Sequence, residues 1–99
     1  MTTKEAILAQ IYAAFGQGTG QVRVSRASMQ ALHDHYAPLI TQELIDTWED
    51  SGTHALERLR SVGRAAAGRM AQSGRTVMEP LDVTESATLV SAQSPTPLC

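Results

Sequence analysis

Residues 74–83 read Gly74-Arg75-Thr76-Val77-Met78-Glu79-Pro80-Leu81-Asp82-Val83, and three structural signals follow one another within them. Gly74, after Ser73, stops the helical pattern that precedes it, because glycine suits the left-handed position after a helix end. Thr76, Val77 and Met78 make a short extended piece. Pro80 stands where a new helix begins, since its missing backbone donor is not needed in the first turn. The last helix is short and buries Leu81 or Val83, then Ala87 and Val90.

Upstream of this stretch, residues 54–73 are helical in pattern, with Leu56, Leu59, Val62, Ala66 and Met70 on one face. Gly63 and Gly68 weaken that helix but let another backbone come close. Before it, Met29, Leu32, Tyr36, Leu39, Ile40, Leu44 and Trp48 recur at steps of three and four. Pro38 interrupts them, so this stretch is one kinked helix or two shorter ones. Ser51-Gly52-Thr53 signals a turn with Thr53 as a new cap. The apolar spacing nearly continues across Gly52, which leaves a single helix over 26–73 open as well. Ser25 is the expected cap of this region and Ser28 the second choice.

Toward the N-terminus, Gln21 to Val24 is short and extended. Thr2 or Thr3 caps a first helix, Glu5 suits its dipole, and Ile7, Leu8, Ile11, Tyr12 and Phe15 share its apolar face. Gly16, Gly18 and Gly20 are expected to end it and open a loop. Residues 91–99, with Pro95 and Pro97, read as a disordered tail. The expected fold is therefore all-α: a single helical domain over residues 1–90, made of a short helix, a long central helical region and a short helix.

Composition narrows the function. With 99 residues the chain makes one domain, and 42% hydrophobic with only 4% aromatic residues favours Ala-, Leu- and Ile-rich helices over a β-sandwich. A core this small gains from association, so a homodimer is expected, with Leu32, Tyr36, Leu44 and Trp48 at its interface. The net charge of −2 argues against indiscriminate nucleic-acid binding by charge alone. Cys99 is the only cysteine, which excludes an intramolecular disulfide. No apolar stretch is long enough for a bilayer and none resembles a secretory signal, so a cytoplasmic protein is expected.

Catalytic and metal chemistry find little support. His33 and His35 are two residues apart and point different ways on a helix, and His54 is isolated, so no metal site is expected. Gly16-Gln17-Gly18-Thr19-Gly20 lacks the following Lys and the preceding strand of a phosphate-binding loop. No nucleophile is singled out; neither enzyme nor cofactor is expected. Charge is distributed more tellingly. Asp34, Glu43, Asp46, Glu49 and Asp50 are followed by Arg58, Arg60, Arg64, Arg69 and Arg75. Either the two blocks neutralise each other, within or between chains, or the arginines form a nucleic-acid surface.

Two segments together resemble the histone fold of archaeal and bacterial histones. Arg23-Val24-Ser25-Arg26-Ala27 through Leu32 is similar to the first loop and the start of the central helix. Gly74 through Val83 is similar to the second loop and the start of the last helix. The resemblance implies a dimer clasped through its central helices. It also implies paired loops, one from each chain, that grip duplex DNA without sequence preference, as in a nucleoid protein. Arg23 would enter the minor groove, with Arg26 beside it. Arg75 would be the second-loop arginine, held by Asp82, and Lys4 a further phosphate contact. The chain departs from the family in three ways: its central region is longer, Pro38 lies within it, and Thr76 follows Arg75 where the family has a Lys. A dimeric helical module that binds another protein, and no DNA, is the alternative.

Overall fold

The computed structural model describes residues 3–20 and 22–92. The chain runs α1 (Lys4–Thr19), β1 (Arg23–Val24), α2 (Arg26–Tyr36), a 3₁₀ turn (Ala37–Leu39), α3 (Gln42–Asp46), α4 (Trp48–Gln72), β2 (Val77–Met78) and α5 (Pro80–Ala92). It is mostly helical, as expected for an all-α chain. The expected tail boundary shifts, because α5 continues through Ser91 and Ala92; residues 93–99 lie outside the described residues.

Thr3 caps α1 by accepting a hydrogen bond from the Ala6 N–H at 3.1 Å. Ile7, Ile11 and Phe15 recur every fourth residue and are buried, with Leu8 and Tyr12 at the margin of the core. The helix does not stop at Gly16. It runs on through Gly18 to Thr19, and Gly20, at φ 72°, ends it. Packing explains the extension: a Cβ at Gly18 would lie 2.1 Å from the Arg60 carbonyl oxygen, and one at Gly63 would lie 2.4 Å from that of Phe15. The backbones of α1 and α4 therefore cross in direct contact, each through a glycine. Gly68, expected to serve the same purpose, has nothing within 4 Å.

The central region is not one long helix. Pro38 lies in the 3₁₀ turn after α2, and Ile40 and Thr41 adopt extended backbone with ψ 91° and 167°. Thr41 then caps α3, accepting from the Leu44 N–H at 3.2 Å. The expected turn at Ser51-Gly52-Thr53 is absent, and α4 passes straight through it. Gly52 is small because the Trp48 ring lies over it; a Cβ there would meet the indole at 3.0 Å. The chain direction thus changes at 37–47, around a proline that cannot donate, and not at the glycine.

This reversal folds the two halves of the chain together. α1 packs on α4, α4 on α5, and α5 on α2. Leu59, Val62 and Ala66 of α4 meet Ile7, Ile11 and Phe15 in one core that also holds Met78, Val83 and Ala87. Leu32, Tyr36, Leu44 and Trp48 are all at most 8% exposed within the same chain. These four side chains, expected at a dimer interface, are instead covered within the one chain. The radius of gyration, 12.9 Å, matches the value of about 13 Å for a folded single chain near 100 residues. Of the two alternatives for α5, Val83 is buried and Leu81 is 61% exposed.

Candidate nucleic-acid interface

β1 and β2 pair in parallel, Arg23 opposite Val77 and Val24 opposite Met78. Each strand leads within two residues into a helix, so α2 and α5 start side by side. The two loops that the histone resemblance would draw from different chains are here both supplied by one. The break at 37–47 is what permits this, since it returns β2 to β1.

A buried hydroxyl pair locks the loops. Ser25 caps α2, its Oγ accepting from the Ser28 N–H at 3.1 Å. Ser28 is fully buried and its Oγ donates to the Met78 carbonyl at 2.8 Å. Each hydroxyl carries one proton, so in the 2.8 Å contact between the two oxygens Ser25 donates and Ser28 accepts. Ser28 was legible only as a second-choice cap. Its actual role, tying the first loop to the second, has no local signal, because its partner lies fifty residues away.

Arg75 and Asp82 fasten the second loop to α5. Arg75 Nη2 donates to Asp82 Oδ1 at 2.6 Å, and the Glu79 N–H donates to Asp82 Oδ2 at 2.9 Å. The carboxylate thus caps the helix it belongs to while holding the arginine. The Asp82 side chain is 3% exposed, that of Arg75 34%. Burial alone would raise the Asp82 pKa. The hydrogen bonds from Arg75 and Glu79, and the charges of Arg75 and Arg69, outweigh it and hold the carboxyl below its ordinary value.

Around this pair, Arg23 and Arg26 are exposed, Arg26 in the first turn of α2. The three arginines flank the paired strands in sequence, Arg23 within β1, Arg26 just after it and Arg75 two residues before β2; Glu79 is exposed and Asp82 buried. Lys4 is the first residue of α1 and is exposed. The other arginines are engaged along α4. Arg60 donates to Gln17 Oε1 at 2.8 Å, Arg64 to Ser61 Oγ at 3.0 Å, and Arg69 pairs with Glu85 of α5. The ion pairs of Arg69 and Arg75 thus run to α5 and not to the acids of 34–50. Those acids lie on α2, α3 and the start of α4, and all five are exposed.

A second polar feature sits near the chain reversal. His35 packs against Tyr36 with ring centroids 4.8 Å apart, and its Nδ1 is buried without a hydrogen-bond partner. Burial lowers the His35 pKa below 6.5, and burial, partly offset by the charge of Arg58, raises that of Tyr36 to about 12. Both His35 and Asp82 bind protons more weakly folded than unfolded, so stability is full above their unfolded values and falls as pH falls. The melting temperature is expected to decline in two stages, from pH 6.5 downward through His35 and again below pH 3.8 through Asp82. Melting curves of His35→Gln should lack the first stage; a variant that retains it would assign the stage elsewhere.

Among the described residues, no three His, Cys, Asp or Glu side chains gather as a metal site, and no helix is long and apolar enough to cross a membrane. No family model, curated protein or solved structure matches the chain.

Proposed function

We propose that the protein binds duplex DNA without sequence preference through paired loops of the kind its resemblance to histones implies, here both from one chain. The observation that supports this reading is the parallel pairing of Arg23–Val24 with Val77–Met78, which joins the loop that carries Arg23 and Arg26 to the loop that carries Arg75. Arg23 and Arg26 contact phosphates or the minor groove. Arg75, tied to Asp82, keeps the second loop in place and offers its remaining donors. Two adjacent helix starts add the partial positive charge that favours phosphate oxygens. One chain carries a complete loop pair, so a single copy is the minimal binding unit. A homodimer would present two such surfaces and bend a duplex across them, as a nucleoid protein does.

Binding is expected to be weak and steeply dependent on salt. At about 0.9 per phosphate contact, three arginines give a slope of roughly −2 to −3 in log affinity against log salt. A mobility-shift series on purified protein reads that slope directly. Arg23→Ala with Arg26→Ala should abolish the shift while leaving the circular dichroism and melting curve unchanged. If the wild type shifts no duplex even at low salt, the protein-interaction reading takes over. One observation favours that second reading: Leu81 and Leu89 are 61% and 54% exposed, two turns apart on the outer face of α5.

A further inference from the structure

A groove of about 260 Å³ opens between α1 and α2, lined by Tyr12, Arg26, Met29, Gln30 and His33. We propose that it binds one unstacked guanine nucleotide, with the phosphate on Arg26, the ring face on Tyr12 and Met29, and the N–H edge of the base on Asp34. The volume is just under the roughly 300–1,000 Å³ of sites for drug-sized ligands, so it suits one nucleotide unit and not several.

The α2 residues follow the spacing 26, 29, 30, 33, which is one face of a helix. That face meets Tyr12 from α1, so the groove has an aromatic wall and a thioether wall. Asp34 does not line the groove but borders it, hydrogen-bonded to Gln30 and beside His33, so the two ends differ in charge. Arg26 stands exposed at the start of α2, on the paired-loop surface. Asp34 lies eight residues on, about 12 Å along the axis, comparable with one nucleotide from its 5′-phosphate to the far edge of its base.

Asp34 is held for the purpose of accepting. Gln30 Nε2 donates to its Oδ1 at 2.8 Å, and His33 Nδ1 lies 3.4 Å from the same oxygen. Its side chain is 66% exposed, and an ionised carboxylate has about four acceptor positions. Burial and the Asp34 charge both raise the Tyr12 pKa, which keeps that phenol neutral beside the ligand. A carboxylate selects a base with two adjacent N–H donors. Guanine presents N1–H and N2–H₂ side by side, whereas adenine offers one donor group there. Bases stack on aromatic faces whatever their identity, so the ring wall supplies affinity and Asp34 supplies the choice.

The site shares only Arg26 with the proposed duplex surface, and the two are tested apart. Guanosine 5′-monophosphate, adenosine 5′-monophosphate and inorganic phosphate are titrated into the full chain, and the Tyr12 and His33 ring resonances are followed by NMR. Guanosine monophosphate should give saturable shifts in the millimolar range or below, with the other two at least about tenfold weaker. Asp34→Asn, at an exposed position, should weaken guanosine monophosphate by about tenfold and erase its advantage over adenosine monophosphate. Arg23→Ala should impair duplex binding and leave these shifts intact. Equal shifts with all three ligands, guanine binding unchanged in Asp34→Asn, or no shift at all would each overturn the assignment. A thymine oligonucleotide carrying one guanine, compared with the free nucleotide, tells a strand from a soluble ligand as the source.

Discussion

Gly63→Val is expected to destabilise the protein by about 3 kcal/mol, the upper end of what overpacking costs, and to lower Tm by roughly 12–24 °C. A Cβ at this position would sit 2.4 Å from the Phe15 carbonyl oxygen and 2.9 Å from the Thr19 nitrogen. Both are backbone atoms of α1, so no rotamer change relieves the overlap and the helices must part. Parting them loosens Ile7, Ile11 and Phe15 from Leu59, Val62 and Ala66, which belong to one buried core. Gly18→Val should behave alike, since its Cβ would meet the Arg60 carbonyl at 2.1 Å. Gly16→Ala is the control. It lies in the same helix with nothing within 4 Å, so it should stabilise by roughly 0.5–1 kcal/mol through helix propensity. Thermal melts of the three variants decide the matter. A Gly63→Val protein that melts with the wild type would mean the two helices are not in contact.

Asp82→Ala is expected to cost about 2–3 kcal/mol, or roughly 10–20 °C in Tm, because hydrogen bonds to a charged group are worth about 1.5–3 kcal/mol. The carboxylate is 3% exposed and serves two partners, the Glu79 N–H and Arg75. Arg75→Ala should cost less than Asp82→Ala, since it leaves the cap on α5 in place. Urea unfolding of both variants and of the double mutant gives the coupling between them. Additive losses would show that the pair contributes nothing beyond its separate contacts. The loops should also loosen, so Asp82→Ala should weaken any duplex binding even though Asp82 itself repels phosphate.

Local signals were legible wherever they act over a few residues. Thr3, Ser25 and Gly74 mark helix ends in the sequence, and the structure has helix ends there, because capping is a matter of one side chain and its neighbouring N–H groups. Arg75 and Asp82 could be matched because seven residues separate them. The glycines misled for the opposite reason. Gly16, Gly18 and Gly52 look like helix breakers in isolation, and each lies inside a helix: two are needed for, or permitted by, contacts with α4 and with Trp48, while Gly16 is simply tolerated. Glycine lowers helix propensity by about 1 kcal/mol, which a close helix crossing easily exceeds.

Periodicities of a few residues and single capping side chains are enough to specify the helical class, the caps at Thr3 and Ser25, the apolar faces and the two short extended segments. Tertiary packing, by contrast, is what covers Leu32, Tyr36, Leu44 and Trp48 within one chain, brings Ser28 to Met78 and sets Arg23 opposite Val77. Those facts depend on where the chain reverses. Pro38 announces a break, but the angle at Ile40 and Thr41, which carries β2 back to β1, is set by the packing of α1 on α4 and of α2 on α5. A pair of contacts fifty residues apart is the product of that packing, and no local pattern encodes it.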